Sequence, residues 1–217
     1  MSGLQVLPFY ILCDSSKSMT GERIRAVNDG LPEIQEEILN DPIVDSKAML
    51  SVISFSTEAM VDLPLTRLSS VVQMPTLTAG GQTNYRKGME LARKQIEADV
   101  ARLISEGFQV LRPCVYFITD GRPGDSWKRF RDDWVDKASN SYAPNVIGFG
   151  VAGADETTLK RLATQFSFVA REGVTAAVAL REILKFVTGT MISSAREGTF
   201  AVRTPLSDEH FRVVPSN

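Results

Sequence analysis

Three short polar stretches hold the residues whose types and spacing could do chemistry: Asp14-Ser15-Ser16-Lys17-Ser18, Gly80-Gly81-Gln82-Thr83-Asn84 and Thr119-Asp120-Gly121-Arg122-Pro123. Asp14 and Asp120 each stand directly after an apolar run that reads as a buried strand. In an open parallel sheet the carboxyl ends of the strands face one crevice, so the two carboxylates converge if their strands are neighbours at the switch point. Brought together they repel, and without a cation at least one has a raised pKa. A hard cation removes that penalty. Carboxylate, hydroxyl and water oxygens are what Mg²⁺ prefers, in near-octahedral geometry that often keeps several waters. Ser16 and Ser18 lie two residues apart after Asp14, a spacing that lets a looped backbone aim alternate side chains inward.

Each stretch also has a plainer explanation. Asp and Ser before a helix are common N-caps, Thr83 or Asn84 could cap the next helix, and the glycine of Thr119-Asp120-Gly121 could relieve a positive φ in a turn. Their joint occurrence at strand ends favours a shared site over three separate caps.

The elements that must position these residues follow from periodicity. Leu7 to Cys13 is a short aliphatic and aromatic run bounded by polar residues, as for a strand covered on both faces. From Met19 to about Leu39, Ile24, Val27, Leu31, Ile34 and Ile38 recur at helical spacing, with a kink expected at Pro32. Met49 to Phe55 and Met60 to Leu65 read as a hairpin, and Pro64 assigns the second of these strands to an antiparallel sheet edge. Met89, Ala92, Ile96, Val100 and Leu103 mark a helix that Gly107 ends, and Val110 to Thr119 reads as one buried strand. Further along come a helix with Trp127 and Trp134 on one face, a strand from Asn145 to Val151 and a helix from Thr157 to Ala163. A strand from Phe166 to Ala170 and a helix through Val178 and Met191 complete the series.

Alternating strands and helices predict an α/β fold. Its form is a doubly wound, Rossmann-like, mostly parallel central sheet with one antiparallel edge strand and helices on both faces. Residues 1–194 form the predicted domain and residues 195–217 a C-terminal extension, either an added strand around Phe200 or a mobile segment.

Taken in this order and context, the three stretches resemble von Willebrand factor A (VWA) domains. Asp14-Ser15-Ser16-Lys17-Ser18 matches the DxSxS of that family's metal-ion-dependent adhesion site, Thr83 follows the paired glycines, and Asp120 occupies the TDG position. The resemblance spans roughly residues 6 to 192. It implies that Ser16, Ser18 and Thr83 touch the metal directly and that Asp14 and Asp120 act directly or through water, so the metal set is Asp14, Ser16, Ser18, Thr83 and Asp120. It further implies Mg²⁺, with Mn²⁺ or Ca²⁺ as alternatives, and a coordination position left for a carboxylate supplied by a protein partner. Neutral hydroxyls leave the cation short of negative charge, which attracts that carboxylate. The compact chain is similar to stand-alone bacterial TerY-like members associated with tellurium resistance and stress response.

Composition sets the outer limits. The chain has 217 residues, 43% hydrophobic and 23% charged, with a net charge of -2, which gives no general drive toward nucleic acid or anionic membrane. Leu4 to Cys13 lacks a basic leader and a cleavage site and is too short to span a bilayer, so a cytoplasmic protein is expected. Two cysteines are too few for a disulfide scaffold. Cys13 ends its strand, whereas Cys114 lies about five residues, roughly 16 Å, short of the corresponding end of another, so if the two strands are parallel neighbours the thiols are beyond disulfide reach. The single histidine, His210, falls in the tail and is expected to be exposed, which argues against Ser-His-Asp or Cys-His catalysis.

A non-enzymatic interaction module is therefore the leading expectation. The alternative is a Mg²⁺-dependent phosphohydrolase of haloacid dehalogenase type using Asp14 as nucleophile, although Ser16 stands where that class has its second acid. Neither glycine fingerprint of nucleotide-binding folds follows the first strand.

Overall fold

The structure, a computed structural model, describes residues 3–202 and 206–215. In chain order the first elements are β1 (Gln5–Asp14), α1 (Glu22–Leu39), α2 (Pro42–Lys47), β2 (Ala48–Phe55), β3 (Ala59–Thr66), α3 (Tyr85–Ser105) and β4 (Gln109–Val110). They are followed by β5 (Cys114–Thr119), α4 (Lys128–Val135), β6 (Asn145–Gly150), α5 (Glu156–Leu162), β7 (Phe166–Ala170), α6 (Ala176–Glu197) and β8 (Phe211–Pro215). One eight-stranded sheet runs in the order β3-β2-β1-β5-β6-β7-β8, with β4 beside the start of β1.

β1, β2, β5, β6 and β7 are mutually parallel, β3 is the expected antiparallel edge, and β8 adds a second antiparallel pair at the opposite edge. Central strands buried on both faces explain the near-continuous apolar runs. Along β1, Leu7, Phe9, Ile11 and Cys13 pack on one side of the sheet with the stripes of α1 and α6. Val6, Tyr10 and Leu12 pack on the other with Met89, Ala92, Ile96 and Val100 of α3. That alternation is the two-residue period of a strand dividing its side chains between two helical layers.

Register decides what the strand ends bring together. Asp14 pairs with Phe55 on β2 and Cys13 with Ile118 on β5, so Asp14 and Thr119 leave the sheet side by side. The chain winds from β1 to β2 on one side and reaches β5 on the other, which makes this gap the topological switch point. Cys114 pairs with Phe9 rather than with any residue near Cys13, and both thiols are free and buried.

Several expectations are corrected. The strand expected from Val110 to Thr119 is divided into β4 and β5, because Pro113 has no N–H to donate and residues 111–113 leave the strand conformation. Helix α1 starts at Glu22 rather than at Met19, which belongs to a 3₁₀ turn over Lys17–Met19, and Pro32 lies inside it. Part of residues 195–217 joins the sheet as β8, so the added strand lies at Phe211–Pro215 instead of around Phe200; residues 203–205 and 216–217 of that segment lie outside the described residues. His210 is half-buried, with Nδ1 hydrogen-bonded to Glu182, rather than exposed. Trp127 and Trp134 are both buried in the core, as their spacing predicts.

Candidate metal centre

The loop after β1 is shaped by its own polar side chains. The Asp14 carboxylate is fully buried; Oδ1 accepts from the Ser16 N–H at 2.9 Å and Oδ2 from the Thr119 hydroxyl at 2.7 Å. The Ser15 N–H and hydroxyl both donate to the Phe55 carbonyl, at 2.8 and 3.1 Å, fastening the loop to the end of β2. Two backbone bonds then draw in the glycine loop: Gly80 N to Ser15 O at 2.8 Å and Lys17 N to Gly81 O at 3.0 Å. Gly81 has φ +78° and a Cβ there would stand 2.6 Å from Thr57 Oγ1, so only glycine fits this position.

These constraints collect the hydroxyls. Ser16 Oγ lies 3.0 Å from Ser18 Oγ and 3.0 Å from Thr83 Oγ1, and Ser18 Oγ donates to Asp120 Oδ1 at 2.7 Å. All five residues expected from the sequence are therefore brought into one cluster. Gly121 is where the third loop passes closest: a Cβ on it would meet Thr83 Oγ1 at 2.9 Å. Thr119 Oγ1 accepts from Gly121 N at 3.1 Å and lies 3.0 Å from the Tyr85 hydroxyl, while Asp125 accepts from the Tyr85 and Arg86 N–H groups at 3.1 and 2.8 Å. The third loop is thus pinned to the start of α3.

The plainer explanations fail for the first and third loops and hold for the second. Gly121 has no positive φ for a turn to relieve. Ser16 makes no side-chain cap bond, and α1 is preceded by Gly21. Asn84, not Thr83, caps α3, accepting from Lys87 N at 3.0 Å. Thr83 is left to face the cluster.

The donor set suits a hard divalent cation. Adjacent oxygens of an octahedron with metal–oxygen bonds of ~2.1 Å are about 3.0 Å apart, the spacing found between the serine and threonine hydroxyls. Among the described residues no group of three or more His, Cys, Asp and Glu stands ready for a metal; the side chains of this cluster are three hydroxyls and two carboxylates, oxygens alone with two of them ionisable. Its mouth is an open cavity of about 320 Å³ that Ser16, Ser18 and Thr83 line together with Lys17 and Arg122.

Burial raises the Asp14 pKa above the ordinary carboxylate range; bonds from Ser16 and Thr119 pull it back in part, and the charge of Asp120 raises it further. In the metal-free protein the folded state then holds a proton that the unfolded chain has already released, so stability falls as pH rises from the ordinary carboxylate value through the raised one. A cation needs the ionised form. We expect Mn²⁺ affinity to climb by about tenfold per pH unit up to the raised value and then level off, with one proton released per ion below it. Calorimetric titrations across that range check this, and an affinity flat in pH would contradict it.

Four participants escaped the sequence reading: Thr119, Tyr85, Asp125 and Arg23. Arg23 forms an ion pair with Asp120 Oδ2 and donates to the Ser18 carbonyl at 2.8 Å. Its one sequence signal is a cation in the first turn of a helix, where the dipole favours an anion.

A doubly wound sheet with three loops holding an oxygen-only cluster at its switch point defines a narrow class of protein. The model of the von Willebrand factor type A domain matches residues 9–182, and the chain belongs to that family. No curated protein matches the sequence. Among solved structures, proximal thread matrix protein 1 from the mussel byssus is similar, at 20% identity over 87% of this chain and 47% of that one with a TM-score of 0.60. A structure of the same mussel protein with a zinc-occupied MIDAS motif matches at 19% identity over 87% of this chain and 48% of that one, TM-score 0.59. The pilus adhesin SpaC from Lactobacillus rhamnosus GG matches at 14% identity over 89% of this chain and 31% of that one, TM-score 0.67. The chain spans about half the length of the mussel proteins.

Domains of this family commonly depend on a divalent metal at a metal-ion-dependent adhesion site, and they are mostly interaction or adhesion modules. The phosphohydrolase alternative is not supported. The matching family is a different one, and Asp14 has no exposed surface and both carboxylate oxygens in hydrogen bonds. Among the described residues no helix is long and apolar enough to cross a membrane.

Proposed function

We propose that the chain is a metal-dependent protein-interaction module in which Asp14, Ser16, Ser18, Thr83 and Asp120 hold Mg²⁺ and a partner's acidic side chain completes the coordination. The observation that carries this reading is the run of hydroxyl oxygens at 3.0 Å spacing between two carboxylates, opening to solvent beside Lys17 and Arg122. Both flanking cations favour an acidic visitor. Oxygen-only donors favour Mg²⁺, Mn²⁺ or Ca²⁺ over Zn²⁺, which usually takes nitrogen and sulfur ligands, although the mussel relative's site holds zinc.

A place beside the TerY-like members of tellurium resistance and stress response, in the cytoplasm, belongs to the same proposal; the motif itself supports the family alone. The module reading is tested by capture on the immobilised protein in Mg²⁺ and in chelator, with cation binding measured in parallel. We expect partner retention in Mg²⁺, its loss in chelator and its return when Mg²⁺ is restored. Retention that ignores the chelator would remove the metal from the proposal.

A further inference from the structure

Arg23 stands where its own helix disfavours it. It is the second residue of α1, at the positive end of the helix dipole, yet its guanidinium reaches back across the first loop to pair with Asp120 and with the Ser18 carbonyl. The Asp120 side chain is wholly shielded from solvent and that of Arg23 is one-third exposed, so water reaches the pair only from the arginine's side. A cation of this chain is therefore already in contact with a carboxylate of the proposed metal set.

We propose that Arg23 is a built-in counter-cation that sets the charge of the site: it competes with the metal for Asp120 and leaves the loaded site positive. This rests on the metal reading above. With both carboxylates ionised, Asp14, Asp120 and Arg23 leave the cluster at net −1; a divalent cation takes it to +1, and one partner carboxylate brings it to neutrality. Without Arg23 the two carboxylates and the ion sum to zero before any partner arrives, and only Lys17 and Arg122 at the mouth are left to attract a visiting carboxylate. The same guanidinium thus weakens metal uptake and strengthens anion capture. It also stabilises Asp120 when no metal is bound, keeping the third loop in place for the ion.

The test uses the whole chain and Mn²⁺ alone, followed by capture of poly-glutamate on the Mn²⁺-saturated protein. Arg23→Gln is expected to bind Mn²⁺ more tightly, on the order of tenfold, and to hold poly-glutamate more weakly by a similar factor. Arg23→Lys keeps the charge and is expected to stay near wild type in both. A further readout is thermal: the rise in Tm on adding Mn²⁺ is larger in Arg23→Gln than in wild type, since the ion replaces the missing cation. Wild-type protein that takes up no Mn²⁺ overturns the metal reading and this inference with it. Wild-type uptake with equal Mn²⁺ affinity in Arg23→Gln overturns the role of Arg23 alone, and so does an Arg23→Lys variant that behaves like Arg23→Gln.

Discussion

Asp120→Ala lowers Mn²⁺ affinity by on the order of a hundredfold and removes Mg²⁺-dependent capture, while the protein keeps its fold. The expectation follows from what the carboxylate touches. Oδ1 accepts from Ser18 Oγ, and Oδ2 faces Arg23, so Asp120 both orients one proposed ligand and balances the nearby guanidinium. Its removal withdraws a negative charge and leaves Arg23 as an unopposed positive charge beside the ion, two changes of the same sign. Stability should fall by less than affinity does, because exposed Ser18 and one-third-exposed Arg23 can both turn to water once Asp120 is gone, and because the sheet core lies beneath the loop. Asp120→Asn separates charge from shape: it keeps the size and an acceptor for Ser18, yet should lose most of the affinity. Calorimetry with Mn²⁺ and a thermal melt of each variant decide the matter, and Asp120→Ala protein that titrates like wild type would mean that the cluster is not the cation site.

What the sequence made legible was governed by local order. A strand buried on both faces must be apolar throughout and must hand the chain directly to a loop, so the positions of Asp14 and Asp120 at strand ends were readable from the runs that end at Cys13 and Thr119, even with the second run begun too early at Val110. The spacing of Ser16 and Ser18 was equally local. Bonds that cross the fold were not readable: Thr119 to Asp14 spans 105 positions, and Arg23 to Asp120 spans 97. Both depend on register between β1 and β5, which no pattern in either strand specifies by itself. The strand at Phe211–Pro215 was missed for a related reason. Only Phe211 and Val214 of its residues are buried, and pairing with β7, rather than propensity, makes it a strand. Pro113 was a readable signal, since a proline inside an apolar run marks a break in the ladder.

Gly121→Val is expected to weaken Mn²⁺ binding by about as much as the loss of Asp120, through shape rather than charge. A Cβ at this position stands 2.9 Å from Thr83 Oγ1 and 3.4 Å from Asp14 Oδ2, so something must move. The third loop has little room to retreat: Gly121 N is held by Thr119 Oγ1, and the Gly121 carbonyl lies 3.1 Å from the Tyr85 hydroxyl. Asp14 is buried and bonded through both oxygens. Thr83, half-buried after paired glycines, is the element that yields, and its hydroxyl leaves Ser16. Gly121→Ala carries the same first contact with less bulk and should cost on the order of tenfold. If the clash acts through Thr83, that cost must largely vanish when Gly121→Ala is made in Thr83→Ala protein, because the atom it strikes is gone. A double-mutant cycle on Mn²⁺ affinity measures this, and two single losses that simply add would show that the crowding at Gly121 is relieved somewhere other than Thr83.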